Sequence, residues 1–352
     1  MPASIVHMLI SRKTREELRK NADMKDFLAT VLDKYPTYME LGSLGPDLPY
    51  FKSLLSGLWN TFINRSDKPM GIDQWSYQLH SKTPNLFPLR MLEITWKETD
   101  PDVTEWDETD KMKFAFLCGF LAHMAADQVI HPVVNHIAGP YYKTRQAREE
   151  HRTCEVHEDL YAFSKECGGQ LTRDTLAKAS FASWCTVEPD ALWTENALWF
   201  RYVIQKAFVE AHAVTPTEKT VGKWIRGTLR ILRYCIYLHI PRVRKLLGPY
   251  GAAYQALFGD EGQLLTSSPQ YKKYVALETC SGSRTYDDYF ADAVELASVY
   301  IRAAFKVYSA DELDTQLRKK FRTVIHSADL GAPLEKDILK EAKQALADWD
   351  VK

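Results

Sequence analysis

The 352-residue sequence has no Cys-x-x-Cys pair, no internal repeat, no low-complexity tract and no excess of charge of either sign. Its six cysteines, Cys118, Cys154, Cys167, Cys185, Cys235 and Cys280, are scattered, which argues against a disulfide scaffold or a cysteine zinc site and fits reduced, buried thiols. The 45 Lys+Arg against 46 Asp+Glu leave a formal net charge of −1, so no global basic field marks a nucleic-acid or anionic-membrane binder; such a partner must meet a local patch. Glycine and proline number only 16 each and hydrophobic residues make up 45%, values that exclude a disordered chain. No basic segment precedes an N-terminal apolar stretch, and Arg12 and Lys13 interrupt it, so the expectation is a cytoplasmic protein without a secretory signal. Also missing are His-Glu-x-x-His, an adjacent His-Asp, Glu-x-x-His and a P-loop, which removes zincin proteases, HD phosphohydrolases, ferritin-like di-iron proteins and P-loop NTPases.

Strand-like alternation is rare, while apolar residues recur at spacings of three and four almost throughout; the pattern predicts an all-α fold. Helices are expected over Thr14–Lys34, stopped by Pro36, and over Leu48–Phe62, Phe87–Trp96, Asp107–His131, Thr144–Glu166, Leu192–Ala213, Glu218–Leu238 and Thr285–Val307. A Ser309-x-x-Glu312 capping box would open one more. The expected organisation is a metal-binding helical domain over residues 1–250, its motifs within 1–165, and a helical C-terminal extension over 251–352. The most apolar window, Phe114 to Val134, is long enough to span a bilayer but carries His123, Asp127, Gln128, His131 and Pro132. That set is expensive in lipid, so the window reads as a soluble helix with a special face and no transmembrane segment is expected.

His123, Asp127 and His131 stand at i, i+4 and i+8, within an arc of about 80° on one helix. Pro132 disfavours helical backbone at the residue before it, so His131 is expected at the helix end. Some twenty residues later His151 and Glu155 stand at i, i+4, with Asp159 next on the same stripe. Two helices joined by a short connection pack face to face, which would oppose the two stripes. Imidazoles and carboxylates gathered in this way are zinc ligands; one His-x-x-x-Asp alone is more often a solvated pair. Asp159 would hold an imidazole N–H or form a surface ion pair. Tyr50, Phe51, Trp75, Tyr141 and Tyr142 could line a cleft, though each alone reads as core. Cys235 and His239, at i, i+4, read as packing. Arg226, Arg230 and Arg233 form a basic stripe, a solvated face or one that attracts a phosphate-bearing substrate or lipid surface.

The sequence resembles the zinc-dependent phospholipase C family, which shares its helical fold with zinc-dependent single-strand nucleases. The resemblance is carried by Gly45-Pro46-Asp47-Leu48-Pro49-Tyr50-Phe51, by His80 after Trp75-Ser76-Tyr77-Gln78-Leu79, by Gly119-Phe120-Leu121-Ala122-His123-x-x-x-Asp127-x-x-x-His131-Pro132 and by His151-x-x-x-Glu155. It implies a multi-helix bundle in which Asp47, His80, His123 and Asp127 surround one zinc ion. His131, His151 and Glu155 would hold a second, with Asp47 bridging, and Asp127 would reach a third shared with His7. Two or three zinc ions would then activate water against a phosphate ester, with Asp47 as the catalytic carboxylate that orients the water or acts as base. Phospholipid is the substrate class the family suggests, with peripheral membrane contact and no stable nucleic-acid partner. The alternatives are a nuclease or phosphomonoesterase on the same scaffold, and a non-catalytic helical interaction protein whose metal site is structural or degenerate.

Overall fold

The computed structural model describes residues 4–51, 74–81, 84–98, 105–139, 144–178, 195–235, 237–238, 240–245, 248–259, 261–280, 282–327 and 337–350. Among these the architecture is helical, with two isolated β-bridges and no strand. The principal helices are α1 (Ser4–Leu18), α2 (Pro36–Gly42), α3 (Gln74–Ser81), α4 (Leu86–Glu98), α5 (Glu108–Ala138), α6 (Arg145–Glu166), α7 (Glu195–His212), α8 (Glu218–Cys235), α9 (Pro249–Leu257), α10 (Tyr286–Tyr308), α11 (Thr315–Val324) and α12 (Ile338–Asp350).

The central helix is α5. It is long and apolar enough to cross a bilayer, yet 94% of its most apolar stretch is buried inside the fold. Side chains from Lys113 to Ile130 are covered on every face, because α1, α2, α4, α6 and α10 all pack around it. Such a helix shows little amphipathic periodicity, and its polar positions therefore stand out. Asp107 caps its start by accepting the Asp110 N–H at 2.8 Å.

One contact sets the geometry of the site. At Gly119 an added Cβ would lie 1.9 Å from the Met39 carbonyl oxygen, and at Gly42 one would lie 1.9 Å from the Phe116 carbonyl oxygen. The backbones of α2 and α5 thus touch through two glycines, a separation that no other residue permits. The chain leaving α2 is thereby pressed against the face of α5 one turn below His123.

Four expectations are corrected. The Thr14–Lys34 helix is instead the end of α1, which starts ten residues earlier at Ser4, followed by a 3-10 turn, a single helical turn and a π segment over Leu28–Leu32. Ser4 through Ser11 are all buried, so α1 offers no apolar stripe to read. Pro36 does not stop a helix but opens α2 at its first turn, where its missing N–H costs nothing. Pro132 does not end α5, which runs on to Ala138 and closes at Gly139 in left-handed backbone, φ 81°. The break expected from proline, about 3 kcal/mol, is offset by burial of Val133 and Val134 in the following turn. Ser309 caps no helix: α11 begins at Thr315, with the Asp314 carboxylate accepting the Leu317 N–H at 2.6 Å.

Helices α4, α6, α7, α8 and α10 follow the expected pattern, whereas α3, α9 and α12 were not among the expected helices. Thr144 caps α6 and a Thr285–Asp288 capping box opens α10. Of the segment Leu48–Phe62, Gly45–Phe51 forms a 3-10 helix and residues 52–62 lie outside the described residues, as do 192–194 ahead of α7. After residue 250, α10 packs along α5 and α1, and α12 packs on α10.

Candidate metal centre

Five imidazoles and three carboxylates meet in one buried pocket. His7 comes from α1, Asp47 from the 3-10 helix, His80 from the last turn of α3, His123, Asp127 and His131 from α5, and His151 and Glu155 from α6. All are buried except His131, which is partly exposed. Asp127 lies at the centre: its oxygens are 3.1 Å from His123 Nε2, 3.2 Å from His131 Nε2, 3.4 Å from His7 Nε2 and 3.5 Å from His80 Nε2. Asp47 is 3.3 Å from His80 Nε2 and 3.8 Å from His7 Nε2, while Glu155 Oε1 is 3.1 Å from His151 Nε2 and 3.4 Å from His131 Nε2. Three donor groups result: Asp47–His80–His123, His7–His123–Asp127 and His131–His151–Glu155.

The donor set fits zinc. His80 Nε2 and His123 Nε2 face each other at 3.3 Å. His123 Nδ1 lies 2.8 Å from the Ser43 carbonyl, which can only accept, so Nδ1 carries the proton and Nε2 presents its lone pair to the pocket. Neither oxygen of Asp127, nor Asp47 Oδ2, nor His7 Nδ1 has a well-aligned hydrogen bond among the described residues. Buried carboxylates left in that state are costly unless a cation completes them. The edge of a tetrahedron around an ion with bonds of about 2.0 to 2.1 Å is about 3.4 Å, the spacing found throughout the pocket.

Charge is balanced within the cluster. Burial alone would raise Asp127, but His131 and His123 outweigh it and hold its carboxyl well below the usual range. Burial likewise opposes ionisation of Glu155, and His151 and His131 reverse the effect. His131 is depressed by burial yet lifted by Asp127 and Glu155 to about 9. His7, desolvated and stacked on His123 with ring centroids 3.9 Å apart, is pushed well below the ordinary imidazole value.

Every residue expected at the site is brought to it, and Asp127 is the carboxylate that touches imidazoles of all three groups. Asp159 holds no imidazole N–H. It is fully buried, accepts the Val6 N–H at 2.8 Å and the Tyr250 hydroxyl at 2.6 Å, and so fixes the backbone next to His7. Ser43, Tyr250 and the glycine pair were not legible as site residues: a carbonyl and a close backbone approach leave no side-chain signature. His157 points away as expected, its Nδ1 on the Thr153 carbonyl and its ring against Tyr274. Trp75 packs against Phe208 and Trp224. The Tyr50 and Phe51 side chains, residues 141, 142 and 239, and the side chain of Cys235 lie outside the described residues.

A model of the zinc-dependent phospholipase C family matches residues 6–208, more than half of the chain. The chain belongs to the zinc-dependent phospholipase C family. No curated protein and no solved structure matches it significantly. Residues beyond the family match still reach the site's support, since Tyr250 from α9 holds Asp159 and Tyr300 from α10 donates to Gln128 at 2.5 Å, beside Asp127.

Next to the His151–Glu155 stripe, burial pushes Glu158 up to about 8, with Glu155 adding to the effect, and pushes Asp159 up to about 8 against the Tyr250 and Val6 hydrogen bonds. Both are protonated in the folded chain over a range where the unfolded chain, with pKa values near 4, has lost those protons. These two groups therefore give the metal-free protein a contribution to stability that is lost as pH rises from about 4 toward 8, a falling slope of their own. Glu158→Gln should flatten that slope; a Tm-versus-pH profile identical to the parent would contradict the assignment.

Proposed function

We propose that this protein hydrolyses a phosphate ester, with phospholipids as the substrate class, at a site holding two or three zinc ions. The observation that carries this reading is the convergence of five imidazole Nε2 atoms on Asp47, Asp127 and Glu155, seven of the eight side chains being buried. Zinc bound there supplies Lewis acidity toward phosphoryl oxygens and brings the ionisation of water near neutral pH.

The chain's own residues do the rest. His80, His123 and Asp47 are the proposed ligands of one ion, His131, His151 and Glu155 of a second, and His7 with Asp127 of a third. Ser43 fixes the His123 tautomer, and Asp159 fixes α1 so that His7 stays in place. Asp47 keeps one oxygen on His80 while Oδ2 accepts no well-aligned hydrogen bond among the described residues; that oxygen is proposed to orient the attacking water and take its proton. The buried surroundings exclude bulk water, so charges in the pocket act at low effective dielectric.

The test is one assay with three substrates, phosphatidylcholine, single-stranded DNA and a phosphomonoester, each with and without chelator. Chelator-sensitive release of the phosphorylated head group at the highest rate is the expected result. Faster cleavage of DNA or the monoester would reassign the substrate, and no turnover of any by zinc-loaded protein would refute the enzyme.

A further inference from the structure

The chain's near-neutral charge conceals a strong local asymmetry. Residues 211–245 contain eight Lys and Arg and one acid, Glu218, a net of +7 in a chain whose total is −1. Part of this falls on α8, where Lys219, Lys223, Arg226, Arg230 and Arg233 recur at spacings of four, three, four and three, the register of one helical face. Lys219, Lys223 and Arg226 are exposed, as are Arg242 and Lys245 just beyond the helix, whereas Arg244 is buried with its guanidinium on the Tyr254 ring. The side chains of Arg230 and Arg233 lie outside the described residues.

The opposite face of α8 is core: Val221, Trp224, Ile225 and Thr228 are buried, and the helix packs against the 3-10 helix that carries Asp47. A second observation concerns apolar exposure. Among the described residues the large hydrophobic side chains left in solvent are Val209, Val214 and Tyr237, 50%, 40% and 42% exposed, and all three bracket α8 in sequence. Single exposed apolar residues mean little, but a cationic helix flanked in sequence by three of them, Val209 near the end of α7, Val214 in the connection and Tyr237 just past α8, has the composition of an interfacial element, with basic side chains for head groups and apolar ones for the acyl boundary. Glu210 is the one exposed acid beside Val209.

We infer that the outer face of α8 is a docking surface for an anionic phospholipid membrane. Charge complementarity selects a polyanionic partner, and the exposed valines select lipid over nucleic acid, since aliphatic side chains give bases nothing to stack on. The inner side of α8 packs on the segment bearing Asp47, so the docking face lies one helix thickness, about 10 Å, from that segment. Its purpose rests on the phosphoester reading above, whereas its charge and exposure do not.

The experiment is co-sedimentation of the full-length protein with phosphatidylcholine vesicles, with and without phosphatidylserine, at low and high salt, for the parent and for K219Q/K223Q/R226Q. Binding is expected only with phosphatidylserine, falling with salt, and about a hundredfold weaker in the triple variant, about fivefold per cation removed. Circular dichroism and turnover of a soluble phosphodiester should not change, because the three side chains are exposed and outside the pocket. Equal binding by parent and variant, indifference to phosphatidylserine, or retention on single-stranded DNA without vesicle binding would overturn the proposal. Vesicle binding needs no turnover: charge-dependent binding by a protein inert toward every phosphoester would refute the function proposed above and leave the docking face standing.

Discussion

Asp127→Asn is expected to lower phosphoester turnover at fixed zinc by about 10²- to 10⁴-fold while preserving the fold. The side chain keeps its shape, but the charge shared by His7, His80, His123 and His131 is gone. Removing one member of a buried charge cluster costs about 3 to 5 kcal/mol, and each 1.36 kcal/mol is a factor of ten in binding. The loss should appear as weakened zinc affinity, partly recovered at high zinc, together with a fall of the His131 pKa from about 9 in the metal-free protein, where Asp127 is the main group raising it. A variant with parental zinc affinity would show that Asp127 is structural.

Gly119→Ala should be strongly damaging for the addition of a single methyl group. Within a helix alanine is favoured over glycine by about 1 kcal/mol, so propensity alone predicts stabilisation. Here the methyl would meet the Met39 carbonyl oxygen at 1.9 Å and the Ser43 nitrogen at 2.7 Å, both backbone atoms that cannot rotate aside. Overpacking of this kind costs about 1 to 3 kcal/mol or more, and the clash prevails. Relief requires α2 to move away from α5, which withdraws the Ser43 carbonyl from His123 Nδ1 and frees the imidazole to turn or change tautomer. The expected result is a lowered Tm and a further loss of zinc affinity in the fraction that remains folded. An unchanged Tm would contradict the close approach of the two helices.

What was legible in the sequence is what side-chain chemistry writes there. The i, i+4 spacings of His123 with Asp127 and of His151 with Glu155 survive because an α-helix converts them directly into one face, and both faces do meet in the pocket. Helical class was legible from apolar spacing in the sequence of α4, α6 and α10, the last two also opened by the capping residues Thr144 and Thr285. The start of α1 was not, because a helix buried on all sides has no stripe. Pro132 misled for a different reason: local backbone preference is a few kcal/mol, and tertiary burial of the next turn exceeds it. Asp159 was placed on the correct stripe but given the wrong partner, since its partners, the Val6 amide and the Tyr250 hydroxyl, lie 153 residues before it and 91 after it. The basic stripe on α8 had two readings from sequence; the exposure of Lys219, Lys223 and Arg226, and of Val209, Val214 and Tyr237 on either side of α8 in sequence, is what the structure adds.

The most direct measurement is the zinc content of the purified protein and of His123→Ala and Glu155→Ala, by elemental analysis on folded samples. Two or three equivalents are expected in the parent, with each variant losing zinc from a different group: Asp47–His80–His123 in the first and His131–His151–Glu155 in the second. A folded parent that takes up no zinc when the metal is supplied, or variants with undiminished metal, would contradict the assignment of these eight side chains to a zinc centre.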